Sequence, residues 1–229
     1  MNFSSRADSP ELLDLPGIPA TDIQRNLYEL SVINRKLGGH AITMEGFNRL
    51  AGKQTQINVC EVGCGGGDNL KAIEKNAKKQ YPGISFTGID INGDCINVAE
   101  NIKWEKPVHF IVSDYKKVHF ESKPDILFCS LFCHHFKEDE LVDMFRWMYG
   151  NSVLGFFIND LHRHVFAYYS IRILTSLFSK SYLVKNDAPL SVLRGFTKKE
   201  LSALLDKAGA LNYTIRWRWA FRWLVIVRT

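Results

Sequence analysis

Two groups of residues in this chain have the types and spacing to do chemistry. The first is Glu61-Val62-Gly63-Cys64-Gly65-Gly66-Gly67-Asp68, where an apolar run ends in an acid and a G-x-G-x-G turn before a helical pattern begins at Asn69. Beyond the carboxyl end of a parallel strand, glycines let the backbone approach a ligand closely. A dinucleotide fingerprint would place glycine at 68, where pyrophosphate meets the helix N-terminus; Asp68 stands there and repels anions. The ligand it suits carries an ammonium or sulfonium group. The second group is histidine-rich: His134-His135, and Asp160-Leu161-His162-Arg163-His164. Histidine titrates near neutrality and serves as a general base, and a neighbouring carboxylate fixes its ring. His134 or His135 is the expected base and Asp160 its orienter, with His162 and Arg163 as further catalytic candidates. The competing reading makes the His pair a helix-start cap and cofactor wall.

The elements that must position these groups are apolar runs ending in polar residues. Ser85 to Asp90 reads as a second strand, His109 to Tyr115 as a third ending in Ser113-Asp114, and Pro124 to Ser130 as a fourth. The fourth is nearly all apolar, as a sheet buried on both faces requires, and delivers Leu131 to Phe136 to the rim of a site. An acid a little over twenty residues past the glycine loop accepts hydrogen bonds from ribose hydroxyls, which makes Asp90 the expected ribose ligand.

On these motifs the chain from Thr21 onward resembles the class I S-adenosylmethionine-dependent methyltransferases, whose first motif reads acidic-hydrophobic-GxGxG, and within them the small-molecule subgroup of aromatic, polyketide or quinone type. The resemblance implies an α/β fold: a Rossmann-like seven-stranded sheet, parallel except for the last strand, with N-terminal lid helices and a helix inserted after strand five. It implies S-adenosyl-L-methionine as cofactor, with S-adenosyl-L-homocysteine as product. The cofactor would be held by Glu61, Gly63, Gly65, Gly67 and Asp90, with Ile91 on the adenine, Asp114 on its amino group, and Tyr115 and Ser130 completing the set. The His-His pair after strand four resembles that of natural-product and quinone methyltransferases. The Asp-Leu-His-Arg-His segment and Ala188 to Thr197 look like a bacterial subgroup associated with aromatic products.

Residues 1–50 read as an N-terminal arm, held loosely up to about residue 20, followed by two lid helices near Thr21–Leu37 and Ile42–Leu50. Residues 51–229 read as the methyltransferase domain, with an acceptor-pocket insertion at about 161–195. On the first helix Ile23, Leu27, Leu30 and Ile33 share one face, and Gly38-Gly39 closes it. Ser152 to Asp160 reads as a fifth strand. Thr197-Lys198-Lys199-Glu200 is a capping box opening a helix that stops near Gly209, followed by strands near Asn212–Arg218 and Arg222–Arg228. In the first of these, alternation puts Arg216 and Arg218 on one face and Trp217 and Trp219 on the half-buried other. Val165 to Phe178 is apolar almost all round, too short to span a bilayer and interrupted by Arg172. It is expected to wall an apolar or aromatic acceptor pocket. The other readings are a packing helix, a homodimer contact or a helix lying on a membrane surface.

Length and 46% hydrophobic content suit one catalytic domain. The net charge of +5 is modest and its basic residues are dispersed, which speaks against a nucleic-acid partner. The five cysteines fall in strands or at their ends, no apolar leader precedes them, and a reduced cytoplasmic setting is expected. Cys129, Cys133, His134 and His135 match no common zinc spacing, so no metal is expected. Methyl transfer from a sulfonium is an in-line displacement that needs a base only for an acceptor still holding its proton, such as a phenol with a pKa near ~10. The expected activity is O-methylation of a phenolic or polyketide-type small molecule. C-methylation of a quinol or phenol ring is the first alternative, and a non-catalytic cofactor-binding module the second. Asp68 disfavours a nicotinamide oxidoreductase.

Overall fold

The computed structural model describes residues 2–229. Seven strands, β1 (Gln56–Val62), β2 (Gly83–Asp90), β3 (Val108–Val112), β4 (Ile126–Ser130), β5 (Gly155–Leu161), β6 (Tyr213–Arg218) and β7 (Arg222–Arg228), lie in the order β3-β2-β1-β4-β5-β7-β6. From β3 to β5 all neighbours pair in parallel, and β7 enters antiparallel between β5 and β6. From β1 the chain builds outward through β2 and β3 and then returns to β4 on the other side. The carboxyl ends of β1 and β4 therefore flank the point where the strand order reverses, the place where open α/β sheets hold ligands.

Among the described residues eight α-helices accompany the sheet: α1 (Ala20–Lys36), α2 (Gly39–Ala51), α3 (Asp68–Ala77), α4 (Gly93–Glu100), α5 (Glu138–Asn151), α6 (Val165–Phe178), α7 (Tyr182–Arg194) and α8 (Lys198–Ala208). Strand alternation divides the core in two. Phe128 and Phe157, opposite one another on β4 and β5 and stacked with centroids 4.7 Å apart, join Phe47 of α2 and Leu70 of α3 on one face. Leu127 and Phe156 join Phe145 of α5 and Leu201 of α8 on the other. The expected capping box opens α8, with Thr197 accepting from the Glu200 amide, and Gly209 ends the helix in the left-handed conformation.

Several boundaries differ from the sequence reading, each for a local reason. The third strand stops at Val112, because Asp114 turns its carboxylate onto the Lys116 amide and caps a 3₁₀ turn at Tyr115–Lys117. The fifth starts at Gly155, since Ser152 is drawn back by a hydrogen bond to the Met148 carbonyl. Ala188 to Arg194 belongs to α7, a helix with Pro189 inside it that local rules do not announce. Trp217 and Trp219 do not share a half-buried face: Tyr213 and Ile215 pack on the core, Trp217 projects past it, and Trp219 lies in the turn. There Ala220 and Phe221 take positive φ values of 60° and 54° to reverse the chain.

The N-terminal arm is fastened rather than loose. The Leu12 and Leu13 amides donate to the Asp187 carboxylate of α7 at 2.8 and 3.1 Å, and Arg6 lies over the Phe196 ring at 4.4 Å. The apolar face of α1 divides its work: Ile23 is buried, whereas Leu27, Leu30 and Ile33 are half-buried and wall a cavity above the switch point. Among the described residues no helix is long and apolar enough to cross a membrane.

Candidate active site

The cavity above the strand ends has a volume of about 1260 Å³. A pocket for one drug-sized ligand is typically ~300–1,000 Å³, so this one has room for a cofactor and an acceptor together. Its floor comes from the loop after β1 and the ends of β2 and β4, and its walls from α1, α6, α7 and the β6–β7 turn.

At one end the glycine loop is held open by backbone geometry. Gly63 and Gly65 adopt φ of 68° and 51°, a region L side chains enter only with strain. Asp90 pins the loop, accepting the Gly65 amide at 2.8 Å with Oδ2 and the Asn92 amide at 2.9 Å with Oδ1. Burial raises its pKa above the ordinary carboxylate value. Ile91 is 75% exposed on the cavity wall, and Asp114 lines the same wall. Tyr115 is buried among Phe132, Phe136 and Trp147 with its hydroxyl unpartnered, and the Ser130 hydroxyl is also buried without a partner; both residues line the cavity. Asp68 lines it too, but its carboxylate is engaged by His40 Nε2 at 2.7 Å and Asn34 Nδ2 at 3.2 Å. Glu61 and Gly67 are outside the cavity lining. Glu61 is fully buried beneath the loop and accepts from Asn69 at 3.0 Å; burial, helped by Asp68, holds its carboxyl well above the usual range. At Gly67 a side chain would press on Ala99 and Trp104, so this glycine lets α4 approach.

At the other end β4 and β5 finish side by side, and that adjacency brings His134 and Asp160 together. His134 Nδ1 lies 2.7 Å from Asp160 Oδ1, and the Leu161 amide donates to the same oxygen at 2.7 Å. Both side chains are buried, although His134 reaches the cavity surface. Leu131, between β4 and this turn, is forced to a φ of 53°, a strain of roughly 1–3 kcal/mol that the surrounding packing sustains. His135 Nδ1 sits 3.1 Å from Asp14 Oδ2 and its ring lies against His134 with centroids 4.5 Å apart.

His162 and Arg163, read from sequence as further catalytic candidates, do not line the cavity. His162 packs its ring on Trp223 at 4.9 Å, and burial lowers its pKa. Arg163 donates to the Gly195 carbonyl at 2.6 Å, the Phe3 carbonyl at 3.0 Å and both oxygens of Glu200, tying the arm and α8 to β5. Arg163→Met should therefore cost stability, roughly 3 kcal/mol given that Glu200 keeps some solvent, while turnover per folded molecule holds. Urea unfolding alongside initial rates checks this; stability intact with turnover lost would return Arg163 to the chemistry.

Three residues of the site had no signal in the sequence. Glu11 of the arm places Oε1 3.4 Å from His134 Nε2 and Oε2 3.8 Å from His135 Nε2. Arg194 donates to the His134 carbonyl at 3.0 Å and the His135 carbonyl at 2.8 Å, fixing the turn that carries both rings. Arg222, buried behind Asn34 and Asn159, has its pKa pushed down to about 10 by burial, against the pull of Asp160 and Asp68. For His134, burial would lower the pKa, but the charges and hydrogen bonds of Asp160 and Glu11 outweigh it and raise it to about 9. Burial alone would raise Asp160 and Glu11, and His134 brings both below their ordinary values. Glu11, His134 and His135 each offer a ligand atom within 4.8 Å of the others, but a ring held protonated between two carboxylates is not a metal ligand until it loses that proton.

Residues 59–151 match a protein family described as a methyltransferase domain. No curated protein matches the chain. Among solved structures, the plantazolicin methyltransferase BpumL in complex with SAH is similar with a TM-score of 0.64 at 17% identity, covering 92% of this chain and 95% of that one. Human N-acetylserotonin methyltransferase in complex with SAM gives 0.64 at 17% identity, over 92% of this chain and 56% of that one. A putative O-methyltransferase from Nostoc punctiforme PCC 73102 gives 0.63 at 11% identity, over 97% and 64%. At these identities the likeness is one of fold.

Proposed function

We propose that the chain is a class I S-adenosylmethionine-dependent methyltransferase and that it methylates the hydroxyl oxygen of an apolar phenolic or polyketide-type small molecule. The observation that carries the reading is the Asp160–His134 pair, whose histidine lines a cavity large enough for two ligands.

S-adenosylmethionine fits the residues at the other end. Gly63 and Gly65 leave the loop backbone open to a ligand, Asp90 stands beside it as a hydrogen-bond acceptor, the exposed Ile91 offers an apolar face to an adenine, and the Ser130 hydroxyl awaits a partner. Two similar folds are described in complex with SAM or SAH, which supports the same cofactor here. When bound, it supplies an electrophilic methyl group on a sulfonium.

The chain's own residues then orient the acceptor and take its proton. Leu27, Leu30, Ile33 and the α6 face exclude water and hold an apolar ring. In its neutral form His134 receives the phenolic proton at Nε2, while its Nδ1–H stays on Asp160, which fixes the tautomer and stabilises the imidazolium that results. The arm is part of the device. Glu11 sits against Nε2, so an acceptor hydroxyl must displace it or share the atom with it.

A set of phenols, hydroxylated polyketides and quinols, incubated with methyl-labelled S-adenosylmethionine, tests the proposal. Label should appear in a methyl ether of an apolar phenol. Label on ring carbon would replace this reading with C-methylation, and no labelled product from any phenol, with cofactor bound, would overturn it.

A further inference from the structure

Helix α6 has two working faces. Ala167, Ser170, Ile171 and Leu174 line the cavity. Phe166, Tyr169, Ile173 and Leu177 recur every three or four residues and form one row on the adjoining, solvent side. Phe166 and Leu177 are each 70% exposed and Phe178, which follows the row, is 78% exposed. A contiguous row of large apolar side chains in water marks a contact surface.

The row continues onto the β6–β7 turn. Phe166 stacks on His164 with centroids 5.6 Å apart, His164 on Phe221 at 5.0 Å, and Trp217 meets Phe221 edge-on at 6.1 Å. Trp219, 71% exposed, stands at the tip of the turn and, like Phe221, also borders the cavity. The surface thus runs along one lip of the pocket.

Charge selects its occupant. No acidic residue occurs in α6, and two exposed cations lie beside the row: Arg172 on the helix and Lys180 just beyond it. Neither is in an ion pair among the described residues. The acid nearest the helix end, Glu29, is consumed by Ser179 and the Lys180 and Ser181 amides. A second copy meeting this surface about a two-fold axis would bring the same cations together with nothing to offset them. An anionic bilayer offers what the surface lacks: apolar depth for the row, an interfacial layer for the tryptophans and negative charge for the cations.

We propose that α6 and the β6–β7 turn seat the protein on an anionic lipid surface, and that the apolar acceptor enters the cavity from that surface between Leu174 and Trp219. The entry half rests on the phenol reading; the docking half stands without it.

Sedimentation of the full chain with phosphatidylcholine–phosphatidylglycerol vesicles, and with phosphatidylcholine alone, tests the docking. Binding should appear on the mixed vesicles and weaken roughly tenfold or more on the neutral ones or in high salt. Phe166→Gln/Leu177→Gln should weaken it by a further factor of roughly ten or more, with melting temperature and turnover of a water-soluble phenol unchanged. Arg172→Glu should weaken binding to mixed vesicles alone. Absent binding by the wild type, or equal binding by the double variant, overturns the docking. So does a wild-type dimer in lipid-free buffer that the double variant splits. Vesicle binding with no phenol methylated upholds docking and overturns the acceptor reading, whereas methylation without vesicle binding does the reverse.

Discussion

His134→Gln is expected to lower turnover by roughly 10²–10⁴ at neutral pH while leaving S-adenosylmethionine affinity near that of the wild type. Glutamine is the appropriate replacement because its amide still donates to Asp160. A buried carboxylate stripped of its partner costs roughly 3–5 kcal/mol and would confuse lost chemistry with lost folding. The pH profile makes the test specific. The His134 pKa, raised to about 9, leaves the ring mostly protonated at neutral pH. Only its neutral form accepts a proton, so the wild-type rate should climb with pH and level off near that value. In His134→Gln this limb disappears and the residual rate follows ionisation of the phenol itself, near ~10, so the defect shrinks as pH rises. Glu11→Gln removes one of the two carboxylates that raise the His134 pKa, and the rising limb should move to lower pH. Asp160→Asn moves it the same way and also frees the ring to take the wrong tautomer, giving a defect of the same kind but smaller than that of His134→Gln. His135, whose Nδ1 is held by a partly exposed aspartate on the arm, should tolerate glutamine with little change. Initial rates against pH for these variants decide the matter. Turnover within about threefold of the wild type in both histidine variants would rule out a histidine base and leave alignment as the main source of rate.

What the sequence made legible was whatever adjacent residues or adjacent strands dictate. The strand-to-glycine-loop transition at Val62–Gly67, the acid ending β2 and the Thr197–Glu200 cap are short-range patterns, and the fold repeats them nearly residue for residue. The neighbourhood of His134 and Asp160 followed from the same logic, because consecutive parallel strands end side by side. The failures are long-range. Nothing local to Glu11 says that it meets His134, since the contact depends on the arm docking to α7 through Asp187. The helix α7 itself escaped notice because Pro189 reads as a breaker and the turn before it is polar. His162 and Arg163 lie beside Asp160 in sequence but not in the cavity wall. The strand ends at Leu161, and the chain then turns towards Phe196 and Glu200, away from the cavity lining. The exposure of Trp217 and Trp219 is not legible in the sequence for a related reason: alternation assigns faces, but not how far the cover over a face extends.

Gly65→Val is expected to abolish S-adenosylmethionine binding by a folded protein. The position holds a φ of 51°, in the left-handed region where a β-branched side chain is strongly disfavoured. Its amide is also the donor that Asp90 holds at 2.8 Å, so any relaxation towards negative φ would withdraw that hydrogen bond and shift the proposed ribose acceptor with it. A Cβ built at Gly65 already makes contact, at 3.4 Å, with a methyl of Leu27 on α1, and the valine methyls must project further into the cavity or against that helix. Either way the loop loses the close backbone approach that the glycine provides, and α1 is pushed from the cavity wall. The remainder of the fold has little reason to fail, because the loop contributes no side chain to either core at this position. Gly65→Ala separates the two causes: it keeps most of the backbone strain and adds only the one carbon. Its affinity should therefore fall between those of the wild type and the valine variant. Calorimetric titration with S-adenosylmethionine, alongside thermal unfolding of each variant, gives the answer. Wild-type affinity in a folded Gly65→Val protein would mean that the cofactor does not approach this loop, and the assignment of the whole cofactor end of the cavity would fall with it.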